Sequence, residues 1–340
     1  MSRILLPQGG IIGGGGFVQD FIKDDDSFPE EVVFDKPLIF MDKTPGSRSV
    51  NLDTMLKYRP PETVLLIQKL LKLRYELHIV ISIIGGGGAT AIPTGSSVSA
   101  ISCAGGGGGG CCGIYIYSPT LSVTGSYNIA NAPTYTPTNS TFSGYGRSLT
   151  ANGGGYGSGT SSPTNTSTVN GGAGGTSTGG DFNFTGGAGG TASGRTTAGA
   201  NTGGGGGCAT RFGNGGNGGS AGNSGGTGAT GGGGGQTFSG NFNRPSVKGG
   251  NGGFPSGRGD LRYSAPGFII TDNAGNGGGQ YPLTDPLFSS FLINGRQYPS
   301  SEEVAGVGSG RGGKAWIPVV DLKGSTGCIF IEVIGARRPS

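Results

Sequence analysis

From Gly213 to Gly234 every third residue is glycine: Gly213, Gly216, Gly219, Gly222, Gly225, Gly228, Gly231 and Gly234 keep one unbroken register. Few backbones have that period. The polyproline II helix has three residues per turn and no internal hydrogen bonds, and a packed bundle of such helices needs glycine wherever two backbones touch. Collagen shares the period but requires abundant proline, whereas these triplets hold Asn, Ser, Thr and Ala. Shorter steps recur at Gly172 and Gly175, Gly186 and Gly189, and Gly249 and Gly252. The run Asn-Gly-Gly-Ala-Gly-Gly-Thr from Asn170 returns 15 residues later, from Thr185, with Thr in the first place. Gly/Ser-rich chains usually behave as flexible coil, but a repeat of this kind argues for order. The expectation is a single-chain bundle of short glycine helices whose neighbouring backbones bond N–H to C=O.

Glycine is concentrated in one region. Of 79 glycines, residues 1–84 hold 7, residues 85–260 hold 58 and residues 261–340 hold 14. The central block carries only 8 charged residues. The flanks differ in character. Glu31 to Met41 reads as a strand pair broken at Asp35-Lys36-Pro37. Pro60-Pro61-Glu62 reads as a helix start, since proline suits the first helical position. Val64, Ile67, Leu70 and Leu71 then form an apolar face at helical spacing. Tyr75, Leu77, Ile79, Ile81 and Ile83 alternate with polar residues as in a half-buried strand, with His78 on the polar side.

Short anchoring strands are expected at Ala100 to Cys103, Ile114 to Tyr117 and Asp181 to Phe184. Trp316 to Leu322 and Gly327 to Ile334 read as a hairpin. The expected fold is mostly β with a glycine-rich polyglycine/polyproline II helix bundle and a small α/β N-terminal module. The module takes residues 1–73. The glycine-rich domain takes 74–335, closed by its flanking strands, with 261–340 as its β-rich C-terminal part.

Most catalytic chemistries find no support. His78 is the single histidine, which excludes sites needing two from one chain. Gly308 to Lys314 nearly fits a phosphate-binding loop, but Ala315 lacks the hydroxyl that magnesium needs. Arg258-Gly259-Asp260 is a tripeptide that chance supplies easily, and Asp24-Asp25-Asp26 reads as a solvated acidic run. Asp272, Asp285, Glu302 and Glu303 have no spacing that identifies a glycosidase pair. Five cysteines without a CxxC pattern read as small buried thiols. A net charge of +4 argues against nucleic acid as a partner. The start lacks signal-peptide character, and charges within Val64 to Ile84 argue against a membrane span. No enzyme, cofactor or metal is therefore expected.

Aromatic residues in polar surroundings are the candidate binding groups. Tyr145, Tyr156, Phe238, Phe242, Phe254, Tyr263, Phe268 and Tyr281 sit among Gly, Ser, Asn and Pro, with Arg147, Arg244, Arg258 and Arg262 close by. Such rings give large contact area at small entropic loss. Tyr145, Tyr156, Phe238, Phe242, Arg244, Phe254, Arg258 and Tyr263 are the receptor-binding candidates, and the alternative for each ring is packing beside glycine helices.

A strand running into Gly85 to Gly88, a second run at Gly105 to Gly110, the segment Gly179-Gly180-Asp181-Phe182-Asn183-Phe184 among glycine repeats, and a closing hairpin at Gly327-Cys328-Ile329-Phe330-Ile331-Glu332-Val333 together resemble a known family. They are similar to the glycine-rich C-terminal domains of tailed-bacteriophage tail fibre and receptor-binding tip adhesins, which form a polyglycine II sandwich. The resemblance covers roughly residues 74–335. It implies a virion protein of the tail fibre or tail tip, assembled in the host cytoplasm, whose loops meet a cell-surface receptor, either a glycan or an outer-membrane protein. Residues 1–84 would join other tail proteins, and a homotrimer stays open. The alternative is a structural virion protein whose glycine domain mediates assembly.

Overall fold

A computed structural model describes residues 29–51, 61–90, 100–118, 120, 124–131, 137–162, 167–194, 199–221 and 324–339, with short strands at 3–5, 236–237, 292–293 and 296–297. The fold is mostly β, with one helix among the described residues. A six-stranded sheet runs in the order β1 (Arg3–Leu5), β2 (Glu31–Asp42), β17 (Cys328–Arg337), β4 (Glu76–Ile84), β6 (Cys111–Ser118) and β12 (Phe182–Phe184). A five-stranded sheet contains β11 (Ser177–Thr178), β9 (Arg147–Ala151), β8 (Ser140–Gly144), β7 (Thr124–Ile129) and β3 (Gly46–Asn51). A third sheet joins β10 (Gly159–Ser162), β5 (Ala100–Cys103), β13 (Gly199–Thr202) and β14 (Gln236–Thr237). The short strands β15 (Leu292–Ile293) and β16 (Arg296–Gln297) pair with each other.

The alternation in β4 decides where the main core lies. Leu77, Ile79, Ile81 and Ile83 all point to one side and are buried. They meet Tyr127, Ile129, Phe142 and Leu149 of the five-stranded sheet, and Ile67 and Leu70 of the helix α1 (Pro61–Lys72). Val32 lies in the same cluster, so this core runs continuously across residue 73. Proline opens α1, as expected, since its missing N–H is not needed there. The helix ends where Arg74 takes a left-handed conformation (φ 63°). There Tyr75 N–H donates to the Leu70 carbonyl and Arg74 N–H to that of Leu71, a Schellman cap.

A buried carboxylate ties the first two sheets together. Asp42 Oδ2 accepts from Arg48 Nη1 at 2.8 Å and from the Tyr127 hydroxyl at 2.7 Å, while Oδ1 accepts the Thr44 N–H. Burial, then the hydrogen bond to the Asp42 carboxylate, pushes the Tyr127 phenol well above its ordinary range.

Two expectations need correction. Residues 31–42 form one strand, not a pair. Its ladder with β17 is nevertheless interrupted at the expected break: Val33 pairs with Gly335 and Leu38 with Val333, so residues 34–37 of β2, Pro37 among them, face Ile334 alone. The hairpin expected at 316–334 is not formed either. Trp316 to Leu322 lies outside the described residues, and both edges of β17 are occupied, by β2 and by β4. Cys328 lies opposite Ile84, so the strands that flank the glycine block are neighbours.

The glycine tracts at 85–90, 103–110, 152–158, 170–176, 185–193, 202–210 and 213–221 bond mainly backbone to backbone, in steps of three. The tract 103–110 shows the rule. Ala104, Gly107 and Gly110 donate to Ser158, Gly155 and Asn152, whereas Gly105 and Gly108 donate to Gly190 and Gly187. The carbonyls of Cys103, Gly106 and Gly109 accept from Gly203, Gly206 and Ala209. Those of Gly105 and Gly108 accept from Gly172 and Gly175, and those of Gly107 and Gly110 from Gly88 and Gly85. Successive residues thus address different neighbours. The echoed runs lie side by side and antiparallel, with Gly186 N–H on Gly175 and Gly189 N–H on Gly172. Such contact leaves no room for a side chain: a Cβ on Gly108 would overlap the Gly207 carbonyl.

The tract 213–221 adds side chains to this pattern. Asn214 Oδ1, Asn217 Oδ1 and Ser220 Oγ accept the N–H groups of Thr185, Ala188 and Thr191. Gly216 and Gly219 of the predicted register accept from Gly207 and Gly204, while Gly213 forms a tight turn with Thr210. Gly222, Gly225, Gly228, Gly231 and Gly234 lie outside the described residues.

Candidate binding face

The second side of the six-stranded sheet carries two exposed aromatics, Tyr115 and Tyr117, beside further rings. On β4, Glu76, His78, Val80, Ser82 and Ile84 point away from the main core. Pairing sets Tyr117 opposite His78 and Tyr115 opposite Val80. Phe182 of β12 pairs with Gly113, and Phe184 pairs with Cys111. Gly113 has a local reason to be glycine, because the Phe182 ring lies where its Cβ would be.

The result is a row of rings. His78 stacks on Tyr117 with centroids 4.5 Å apart and planes 20° apart. His78 and Tyr115 are 6.0 Å apart, Tyr115 and Phe182 5.5 Å, and Phe182 and Phe184 5.9 Å. Tyr115 is 46% exposed and Tyr117 38%. The Arg337 guanidinium lies 3.4 Å from the Tyr117 ring centre and also pairs with Glu76 at 3.2 Å. At the other end of the row, Asp181 accepts the Tyr115 N–H with one oxygen and pairs with Arg147 through the second. The Gly-Gly-Asp-Phe-Asn motif thus builds this end. Its Asn183 closes the turn by accepting the Gly180 N–H and donating to the Gly180 carbonyl.

Burial lowers the His78 pKa, and Arg337 and Arg211 lower it further against the opposing pull of Glu31. The imidazole is therefore neutral near pH 7. Below the row, a small cluster of Ile84, Cys111, Cys208, Ala209, Cys328 and Phe330 joins the sheet to the glycine tract 202–210. Burial drives the Cys111 and Cys328 thiols well above their ordinary range, and Cys112 up to about 11, so none is a ready thiolate. All five cysteines are buried and unbridged. Arg211, which follows the tract, pairs at 2.8 Å with Glu332, a fully buried residue of β17. Among the described residues no group of His, Cys, Asp and Glu could hold a metal ion, and no helix is long and apolar enough to cross a membrane.

Two of the predicted binding residues are described, and they lie on different elements. Tyr145 (φ 55°) and Gly146 (φ 69°) make the tight turn between β8 and β9. Its ring lies 6.5 Å from Phe142 and packs partly on the main core, which pushes its phenol up to about 12 through burial. Tyr156 belongs to the tract 152–158 and is 49% exposed. Phe238, Phe242, Arg244, Phe254, Arg258 and Tyr263 lie outside the described residues.

Sequence reasoning missed the row itself. It assigned Tyr115, Tyr117, Phe182 and Phe184 to anchoring strands and His78 to a solvated side. The signal was present in Ile114-Tyr115-Ile116-Tyr117, where isoleucines face inward and tyrosines outward. No family model and no curated protein sequence matches the chain.

Proposed function

We propose that the chain is a non-enzymatic attachment protein of a phage tail fibre or tail tip, in which a polyglycine II bundle holds a binding surface rigid. The observation that carries this reading is the three-residue step of the backbone hydrogen bonds. A helix with three residues per turn aims successive N–H groups in three directions, so each tract can bond to several neighbours at once. Order obtained in this way needs almost no side chains, which leaves aromatic and polar residues for contact with a receptor. The exposed rings of Tyr115, Tyr117, Tyr156 and Phe212 support the reading, since a frame alone has little use for them on its surface. Attachment in many copies would add avidity to a modest single-site affinity.

Competition for adsorption tests the proposal. Purified full-length protein is mixed with candidate host bacteria, and phage attachment is counted. Strong inhibition is expected. A deletion of residues 238–248, which spares the pairing of β14 with β13, tests whether the predicted loop residues Phe238, Phe242 and Arg244 contribute. Absence of inhibition by folded protein at saturation would favour a structural role inside the virion.

A further inference from the structure

We propose that the row formed by Tyr117, His78, Tyr115 and Phe182 is a saccharide-binding strip, and that it recognises the non-charged pyranose rings of a surface glycan. The inference rests on the attachment reading and names the chemistry of its receptor.

A pyranose presents an apolar C–H face and a rim of hydroxyls. Flat aromatic rings suit the first, and polar groups in the same plane suit the second. Both are here. The Tyr115 ring is 46% exposed and is the platform, whereas Tyr117, covered by Arg337 and stacked on His78, offers its edge; each ring carries a hydroxyl. The neutral His78 imidazole offers one donor and one acceptor. Beside Tyr117, the Arg337–Glu76 pair places donors and a carboxylate next to a ring, an arrangement able to bracket neighbouring hydroxyls. The strip is also ordered before any ligand arrives. Cross-strand register and ring stacking fix the side chains, so binding immobilises little that was free.

Charge and shape narrow the ligand further. Among the described residues the cations at this face are paired, Arg337 with Glu76, Arg211 with Glu332 and Arg147 with Asp181, which does not favour an acidic sugar or phosphate. A protein partner would need a broad desolvated patch, about 800 Å² on each side, with few charges at its centre. This row instead runs along β6 onto β12 with an ion pair at either end. A linear, hydroxyl-rich chain fits it better.

The test uses fluorescently labelled full-length protein and a panel of bacterial cells, either untreated, stripped with proteinase K, or oxidised with periodate, which cleaves vicinal diols. Binding is expected to survive protease and to fall at least about tenfold after periodate. The double variant Tyr115→Ala/Tyr117→Ala should lose at least about tenfold in binding while still unfolding cooperatively, with a melting temperature lowered only modestly by the lost ring contacts. The double variant Tyr115→Phe/Tyr117→Phe, which keeps the rings, should retain most of it. Binding abolished by protease, indifference to periodate, or an alanine variant that binds like the native chain overturns the strip while leaving attachment intact. A native protein that binds none of the untreated cells overturns the attachment reading and the strip with it.

Discussion

The main core and the glycine tracts reach order by opposite means. Around β4, Ile79, Ile81 and Ile83 fill space against Phe142, Leu149 and the helix, and burial of apolar area supplies the driving force. Around the tract 103–110 the buried side chains are small, such as Cys103, Ala104 and Ala192, and stability comes mainly from backbone groups that each find a partner. A sheet strand bonds in one plane and uses its faces for packing. The glycine tract bonds in several directions and has no faces to spare. One region is therefore sensitive to atoms removed, the other to atoms added.

That contrast can be broken experimentally. The largest effect is expected from Gly108→Val, which puts a side chain into the Gly207 carbonyl and should prevent folding, beyond about 4 kcal/mol. Its counterpart Ile81→Ala should cost about 2–5 kcal/mol. Thermal unfolding followed by circular dichroism compares them, and a valine variant that melts like the native chain would sink the account of the tracts.

The next largest effect concerns the joint between the regions. Arg211→Met removes the guanidinium from the buried Glu332 carboxylate and should cost about 3–5 kcal/mol in urea denaturation. Adding Glu332→Gln should recover much of that loss; if it recovers none, the pair does not clamp the tract to the sheet.

A finer probe is Asn217→Ala, which leaves the Ala188 N–H without its side-chain acceptor and should cost about 0.5–1.5 kcal/mol. Hydrogen exchange should accelerate at Ala188 but not at Gly187 or Gly189, whose backbone partners remain.

The smallest effect is a pH dependence on the sheet side. The folded pKa of His78 lies below its ordinary 6.5, so the unfolded chain takes up the proton first as the pH falls. This contribution is complete above about pH 6.5 and is lost progressively below it. Glu31, Arg337 and Arg211 set the surrounding field. His78→Gln should flatten the melting temperature between pH 7 and pH 5 relative to the native chain, which checks the sign.

Local patterns made much of this legible. Alternation in Leu77 to Ile83 identified β4 and its buried side, and Pro61 marked the start of α1. The three-residue steps at Gly172, Gly175, Gly186 and Gly189 coincide with real backbone bonds. What stayed hidden depends on distant partners. Val80 and Ile84 are buried on the side that alternation marks as outer, because other groups cover them. The persistence of β2 through Pro37 depends on β17, far later in the chain, which pairs with it on both sides of the unpaired residues 34–37. The ring row needs β4, β6, β12 and β17 in one register, and no local spacing carries that information. Arg211 and Glu332 each look like ordinary surface charges until the fold brings them together.

The place of β17 has a consequence for how the chain is made. It lies between β2 and β4, which leave the ribosome more than 240 residues before it does. At about 5–20 residues per second, the isoleucine-rich edge of β4 waits roughly ten seconds or more for its neighbour. Until then the nascent chain exposes an adhesive strand edge beside half-built glycine tracts. Completion of the six-stranded sheet thus waits for the synthesis of β17, and a chaperone able to shield β4 during that interval would raise the yield of native protein.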